Sequence, residues 1–208
     1  MENLSKLRSP RSLLAGPDKS VRCTVIGDGM VGKTCLATSF ARRQFVEDYT
    51  ATIYDVYCVP FCVGNDRYII NISDTAGQTD FDDVRSHVYQ DTEVLLLCFS
   101  VRDRESFSSV IDSWYPEVRR LARRKCPVVL VGTQTDMRGK VPETETVTPA
   151  EAHRLAKKIG ARLYVECSSK ERHGLHSVFR NVLEIALRRR KRKNTMLRRF
   201  FRRSTAPF

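Results

Sequence analysis

The sequence predicts a doubly wound α/β domain, and two observations support that fold class. Four short apolar runs, VRCTVIG, LLLCFSV, PVVLVGT and RLYVECS, are unbroken enough to form strands buried on both faces, as a parallel sheet requires. Amphipathic stretches with a helical period lie between and after them, at about 33–43, 105–123, 149–159 and 174–190. Such alternation of strands and helices is typical of a parallel sheet covered by helices on both faces.

Two further strands are expected between the first helix and the second apolar run. They are YDVYCVPFCV and RYIINIS, and the turn signal GND between them predicts a hairpin. Pro60 has no backbone N–H to donate, so the first of these strands is expected at a sheet edge. The full prediction is a six-stranded, mainly parallel sheet with one antiparallel edge strand, flanked by about five helices.

The length of 208 residues suits one domain with a tail at either end. We expect residues 1–20 to form a flexible leader, because they are rich in Pro, Gly and Ser and lack the continuous apolar core of a signal peptide. The domain itself is expected over 21–187, and a polybasic tail over 188–208. No run approaches the roughly 20 apolar residues needed to cross a bilayer, which excludes the membrane-spanning class.

The cysteines are scattered, odd in number and mostly flanked by Val, Leu or Phe. This pattern favours small buried side chains in a reducing, cytoplasmic environment over a disulfide framework. His173 and His176 have no Cys or acidic partner at a zinc-ligand spacing, so we interpret them as surface histidines on a helix. The seven cysteines are Cys23, Cys35, Cys58, Cys62, Cys98, Cys126 and Cys167.

Directly after the first strand, GDGMVGKT satisfies the pattern G-x-x-x-x-G-K-[ST] and leads into a helix. Glycines let backbone N–H groups close around phosphate oxygens, Lys33 can neutralise the β and γ phosphates, and the Thr34 hydroxyl can ligate Mg²⁺. The helix N-terminus could lower the pKa of Cys35, but an inert packing thiol is the interpretation we favour. The nucleotide-binding residues predicted here are Gly27, Asp28, Gly29, Met30, Val31, Gly32, Lys33, Thr34 and Cys35.

Motifs at the ends of later strands narrow the choice among ATPase, kinase and GTPase. In DTAGQ, Asp74 can reach Mg²⁺ through water, Gly77 can bend toward the γ-phosphate and Gln78 can orient the attacking water. In GTQTD, the Asp136 carboxylate can accept two hydrogen bonds from guanine, a pattern that adenine does not offer. Carboxyl ends of parallel strands meet at one edge, so we expect a single site. The predicted residues of GTQTD and ECSSK are Thr133, Gln134, Asp136, Ser168, Ser169 and Lys170.

Together these motifs resemble those of the Rho/Rac family of small GTPases, within the Ras superfamily, over about residues 21–187. The similar stretches are GDGMVGKTCL, DTAGQ, LLLCFSV, WYPEV, GTQTD and ECSS. The resemblance implies a P-loop small G domain that binds GTP and GDP with Mg²⁺ and hydrolyses GTP. It also implies a monomeric switch whose partners are an exchange factor, a GTPase-activating protein (GAP) and effectors.

The resemblance assigns further roles to single residues. Tyr49 and Thr52 match switch I in the stretch YTAT, where Thr52 is implied to bind Mg²⁺ and sense the γ-phosphate. Phe45 is implied to pack against guanine. Gln78, Lys33 and Thr52 are the implied catalytic residues.

Several positions depart from the Rho pattern. Ala51 stands where proline is usual, and Ser73 stands where tryptophan helps exchange factors choose their substrate. Thr79 and Asp80 replace the usual acidic pair after Gln78. The charged insert appears as a shorter MRGKVPETETV, in which Pro142 disfavours a full helix.

Two mechanisms are compatible with this sequence. We interpret the chain as a working switch because Gly29, Thr52 and Gln78 are retained. No arginine lies at an evident in-cis finger position, so a partner is expected to supply that charge. Thr79 and Asp80 alter the segment that the resemblance identifies as switch II, which leaves a GTP-holding interaction scaffold with little hydrolysis as the alternative. A nucleic-acid-binding module would rest on the tail alone and is not favoured, because the body has no aromatic-interleaved strand platform.

Basic residues are concentrated in the tail. The formal net charge is +12, ten Lys or Arg lie between Arg188 and Arg203, and no acidic residue follows Glu184. No cysteine follows Cys167, so we expect no prenylation there.

The tail also has an apolar side if residues 194–203 form a helix. Met196, Leu197, Phe200 and Phe201 then fall within an arc of about 140°. A polybasic cluster with a Phe-bearing face predicts reversible attachment to anionic membranes, at the cytoplasmic face and foremost at the plasma membrane. Nuclear import, calmodulin binding and a solvated disordered tail are the alternatives.

Overall fold

The computed structural model describes residues 19–45, 52–77, 82–122 and 126–204. Within these ranges the side chains of 82–84, 194 and 196–204 lie outside the description. Most of the predicted leader therefore lies outside the described residues, as do Tyr49, Ala51 and Gln78.

The described residues form a six-stranded sheet with the order β2-β3-β1-β4-β5-β6. β2 pairs antiparallel with β3 and lies at the edge, and the other neighbours are parallel. The predicted hairpin and the edge position of Pro60 are therefore confirmed. The strands are β1 (Ser20–Ile26), β2 (Tyr54–Val63), β3 (Asp66–Thr75), β4 (Val94–Ser100), β5 (Val128–Thr133) and β6 (Tyr164–Glu166).

Helices cover both faces of the sheet. They are α1 (Lys33–Arg42), α2 (Asp82–Asp91), α3 (Arg104–Ser109), α4 (Tyr115–Leu121), α5 (Pro149–Lys158) and α6 (Leu175–Ser204). The segment Val110–Trp114 between α3 and α4 is a π-helix, so this whole stretch is one helical rod. Counted in this way, the described residues contain five helices, which agrees with the predicted number, although the sequence located only four of them.

Two apolar cores lie on opposite faces of the sheet. In β4, Val94, Leu96 and Cys98 face one core while Leu95 and Leu97 face the other, as the two-residue period of a strand dictates. Helices α1 and α6 cover the first core, and the α3–α4 rod and α5 cover the second. Both β4 and β5 are buried throughout, as expected for central strands of a parallel sheet.

Three elements differ from the sequence prediction. Helix α2 was not predicted, because DDVRSHVYQD has little apolar periodicity and its buried members include a charged residue, Arg85. The strand predicted from RLYVECS is only Tyr164–Glu166, and two of its three residues are partly exposed. The last helix does not end near residue 190 but continues to Ser204.

Cysteine and histidine positions also correct the sequence interpretation in part. Cys58 and Cys62 are exposed on the edge strand, whereas Cys23, Cys98 and Cys167 are buried; all seven cysteines are free. His176 lies on α6 and stacks on Phe61 with ring centroids 4.7 Å apart. His173 is exposed but precedes the helix, in an isolated bridge with Ser168.

The backbone of the insert region agrees with its prediction, and the tail continues the last helix. Residues 138–148 form turns without a helix, as Pro142 suggested. The backbone of residues 194–203 is helical as part of α6, while the separate role of 188–208 stays a prediction. Among the described helices, none combines the length and apolar character that crossing a bilayer demands.

Candidate functional site

The phosphate loop joins β1 to α1 and depends on glycine at two positions. Gly27 has φ 137°, and a Cβ there would run into the backbone of Cys98 in the neighbouring strand. Gly32 has φ 84° immediately before the first residue of α1. Both backbone conformations favour glycine, so the sequence folds here into a tight turn that ends at a helix N-terminus.

Lys33 points back into this loop. Its side chain is buried, and its Nζ donates to the backbone carbonyl of Asp28 at 2.7 Å. Burial lowers the pKa of Lys33, and the nearby Asp74 partly opposes that shift. A desolvated ammonium at the mouth of a loop of N–H groups is suited to bind phosphate oxygens.

Three oxygen-bearing side chains meet beside the loop. The Thr34 and Thr52 hydroxyls are 2.9 Å apart, which brings the start of α1 against the end of switch I. The Asp74 carboxylate is fully buried beside the Thr34 and Thr52 hydroxyls, and neither of its oxygens accepts a hydrogen bond of good geometry from a described residue. Burial raises the pKa of Asp74, and the adjacent Thr34 hydroxyl and Lys33 ammonium offset only part of the rise.

The base side is built from the segments after β5 and β6. The Ser168 hydroxyl donates to Asp136 Oδ1 at 2.7 Å and accepts from the Glu171 N–H at 3.0 Å. These bonds orient the Asp136 carboxylate at the rim of a cavity of about 230 Å³. The cavity is lined by Gly32, Cys35, Phe45, Arg102, Thr133, Gln134, Asp136, Met137, Ser169 and Lys170.

Hydrogen bonds lock the base side to the phosphate loop. The Thr133 hydroxyl donates to the Val31 carbonyl at 2.5 Å, and the Gln134 amide donates to the Met30 carbonyl at 3.0 Å. The Gln134 oxygen in turn accepts from Ser100 at 2.7 Å. Parts distant in sequence therefore form one rigid frame across the carboxyl ends of β1, β4 and β5.

The family comparison agrees with this geometry. A family model described as Ras, the Ras family, matches residues 22–188. The chain belongs to the Ras family. It is therefore a small GTPase that binds GTP and GDP, and GTP hydrolysis is the activity of its family.

The residues of this GTPase fit the Mg²⁺ that Ras-family proteins generally use. Mg²⁺ prefers oxygen ligands and keeps several waters. The Thr34 and Thr52 hydroxyls would hold the ion, and the buried Asp74 carboxylate would receive its waters, which explains an otherwise unpartnered buried charge. Bound Mg²⁺ would supply charge neutralisation between phosphate oxygens.

Most predicted site residues of the GTPase come together at this edge of the sheet. Gly77 packs so closely on Gly29 and Asp28 that a Cβ there would overlap their backbone. Burial raises the pKa of Cys35, in agreement with the inert thiol we favoured. Tyr49 and Gln78 lie outside the described residues, so their roles stay predictions.

Sequence reasoning missed two kinds of residue in the GTPase. Arg102 and Met137 line the base cavity, and both follow predicted motifs by one residue, which is a signal that could have identified them. Trp114 and Arg85 contact the phosphate loop and Ala76 through a π-helix and an unpredicted helix, for which the sequence has no clear signal.

Proposed function

We propose that the protein is a Rho-like GTP/GDP switch that hydrolyses GTP slowly and relies on a GAP. The observation that supports this proposal best is the meeting of Thr34, Thr52 and Asp74 at one point. We call the part of the site formed by Thr34, Thr52 and Asp74 the magnesium side. Thr52 ties switch I to this side, so loss of the γ-phosphate would release switch I. Similarity of WYPEV and LLLCFSV to Rho-family motifs supports the narrower assignment.

Slow intrinsic hydrolysis follows from where the nearby arginines lie. Arg85 donates to the Ala76 carbonyl, but its side chain is only 1% exposed and is paired with Glu117. Arg102 lines the base cavity instead. Neither is available as an arginine finger, so a GAP would supply that charge, which typically accelerates this chemistry by about 10³- to 10⁵-fold.

An apolar surface beside switch I suits effector binding. Ile53, Tyr54 and Val56 are exposed by 61%, 42% and 50% just after Thr52, where strand β2 begins. Exposed large apolar side chains that adjoin a nucleotide-sensing residue are expected to contact partners. By family analogy these partners would be effectors of cytoskeletal or polarity signalling. An exchange factor would also contact this region.

The C-terminal part of α6 is proposed to hold the protein at anionic membranes. Lys191, Arg192 and Lys193 are exposed, and further basic residues follow in the sequence up to Arg203. Each basic residue near an anionic surface contributes about 1 kcal/mol. We therefore expect a cytoplasmic protein with salt-sensitive, peripheral attachment, foremost at the plasma membrane.

Single-turnover hydrolysis distinguishes the switch from a GTP-holding scaffold. Purified protein is loaded with GTP, and its decay is followed alone and with Rho-family GAP domains. The switch predicts slow decay that at least one GAP accelerates by 10²-fold or more. Decay that no GAP changes would favour the scaffold, in which the altered residues Thr79 and Asp80 prevent catalysis.

Liposome co-sedimentation tests the membrane assignment. We expect the protein to pellet with anionic vesicles at low salt and to be released at high salt. The double variant Phe200→Ala, Phe201→Ala should bind less, whereas Phe107→Leu in the domain serves as the matched aromatic control. Equal binding to neutral vesicles would contradict the electrostatic part.

A further inference from the structure

A buried polar network lies behind the phosphate loop and is not part of nucleotide binding as described above. Its first member is Trp114, at the end of the π-helix Val110–Trp114, where Tyr115 N–H bonds to Val110 with a five-residue spacing. The indole is 5% exposed, and its Nε1 donates to Asp28 Oδ1 at 2.5 Å. Single π turns are rare and often occur at functional sites.

Asp28 connects this indole to the phosphate-binding lysine. Its side chain accepts from Trp114, and its backbone carbonyl accepts from Lys33 at 2.7 Å. The same residue and Gly29 form the surface against which Gly77 packs. A shift of Asp28 would therefore move both the lysine and the seat of Gly77.

Arg85 connects the indole to the other side of Gly77. Its guanidinium carbon lies 5.1 Å from the centre of the Trp114 ring, within cation–π range. Its Nη1 donates to the Ala76 carbonyl at 3.3 Å. The segment that carries Gly77 is thus held from Asp28 on one side and from Ala76 on the other.

Glu117 fixes the arginine. It accepts from Arg85 Nε at 2.9 Å and Nη2 at 3.0 Å, a two-pronged pair, and from the Tyr89 hydroxyl at 2.5 Å. Arg85 is 1% exposed, so this pair sits in a desolvated environment where geometry is strongly enforced.

We propose that Trp114, Arg85 and Glu117 are positioning residues that set the distance between the phosphate loop and Ala76–Gly77. This inference rests on the proposed switch function, in which Gly77 is the part of switch II that responds to the γ-phosphate. The Arg85–Glu117 part of the network therefore acts on the triphosphate form more than on the diphosphate form. Trp114 acts through Asp28 on both forms, whereas Glu117 acts through Arg85 and Ala76 on the triphosphate form.

Two conservative variants test this division by the release rates of fluorescent GDP and a non-hydrolysable GTP analogue. Glu117→Gln, which keeps the shape of the side chain, should speed release of the analogue by about tenfold and change GDP release by less than twofold. Trp114→Phe, which keeps a ring beneath Arg85, should speed release of both by about tenfold, since one charge-assisted hydrogen bond is lost. Tyr115→Phe is the matched control, because Tyr115 lines a separate groove with Pro127 and Val128.

A spectroscopic readout separates positioning from general loosening. Trp114 is the only tryptophan in the chain, so intrinsic emission reports its surroundings directly. Wild-type emission should shift when GDP is exchanged for the GTP analogue, and the shift should shrink in Glu117→Gln. Equal acceleration of both nucleotides in Glu117→Gln, or wild-type emission that ignores the exchange, would overturn the proposal.

Discussion

The base side and the magnesium side of the site differ in what they need from a ligand. On the base side, Asp136 is already bonded to Ser168, and Gln134 is bonded to Met30 and Ser100. On the magnesium side, both Asp74 oxygens are buried without a hydrogen bond from a described residue. Protein groups thus satisfy the base side, whereas on the other side the Asp74 carboxylate keeps capacity to accept hydrogen bonds from waters of a bound ion.

This difference explains how one pocket can hold a nucleotide tightly and still report its state. The base side has its hydrogen bonds formed without ligand, so it changes little when the nucleotide binds. It therefore provides the same affinity and specificity for both nucleotide states. The half that carries the buried and only partly compensated Asp74 charge is expected to respond to the ion and phosphate that bind there. Sensing therefore belongs to the magnesium side, where Thr52 of switch I is found.

The largest expected effect comes from a substitution that disrupts guanine binding on the base side. Asp136→Asn should weaken GTP binding roughly a thousandfold, about 4 kcal/mol, because two charge-assisted bonds to guanine are lost. It should favour xanthosine triphosphate, whose altered edge complements an amide. Competition binding measures both nucleotides, with Glu143→Gln in the exposed insert as control. Unchanged GTP affinity would mean that the pocket is wrongly assigned.

A second substitution, Asp74→Asn, is expected to have opposite effects in the presence and absence of Mg²⁺. Asp74→Asn should weaken Mg²⁺-dependent nucleotide binding by about a hundredfold. In EDTA the same change should stabilise the protein by about 2 kcal/mol, since it removes a buried charge that Lys33 and the neighbouring hydroxyls offset only in part. Thermal unfolding with and without Mg²⁺ measures both effects, and the same sign in both would contradict the assignment.

The raised pKa of Asp74 adds a pH dependence to that comparison. Folding favours the protonated carboxyl, so the EDTA-treated wild type should gain stability as pH falls through this pKa and lose it as pH rises. The stability advantage of Asp74→Asn should therefore shrink toward acidic pH. Thermal unfolding across a pH series would show a constant advantage if Asp74 kept its ordinary pKa.

A third prediction concerns catalysis beside the magnesium side. Gln78→Leu should slow GTP hydrolysis about tenfold or more and raise the GTP-bound fraction in cells, because the attacking water loses its orienting group. The GTP:GDP ratio of the recovered protein measures the effect. A ratio equal to that of the wild type would favour the scaffold function.

The smallest expected effect comes from a substitution that tests whether the base side is formed before the nucleotide binds. Ser168→Ala removes the hydroxyl that orients Asp136 but leaves the carboxylate in place. Nucleotide affinity should fall by about fivefold, in line with one hydrogen bond of about 1 kcal/mol. The matched control is Ser177→Ala on an exposed turn of α6. A loss as large as that of Asp136→Asn would mean that the base side is not formed in advance.

The central strands and the phosphate loop could be predicted from sequence because their signals are local. An apolar run such as PVVLVGT is stable as a strand buried on both faces of a sheet, and GDGMVGKT is compatible with the backbone of a phosphate-binding loop. The same reliance on local signals led to the wrong prediction for Cys58 and Cys62. Their apolar neighbours suggested burial, but on an edge strand alternate residues face solvent whatever their immediate neighbours are.

The rest required long-range contacts that no sequence window contains. Helix α2 is held by Arg85 and Tyr89 reaching Glu117 on another helix, so its stability comes from a polar tertiary network and not from apolar periodicity. WYPEV was useful as a family signature, but the π turn that directs Trp114 to Asp28 depends on the packed structure.

If the tail binds a bilayer as proposed, the unbroken helix α6 restricts how the domain can be oriented on it. Eighteen residues make about five helical turns, so positions 196, 197, 200 and 201 fall on the same line as Val178, Phe179, Val182 and Leu183, which face the core. A flat bilayer along that line would have to pass through the domain. Arg190 is clamped to Glu93 and to the Ser20 carbonyl, so the helix cannot swing away there. Docking of the apolar line therefore requires a joint between 190 and 196, and the angle of that joint would fix how far above the lipid the nucleotide pocket stands.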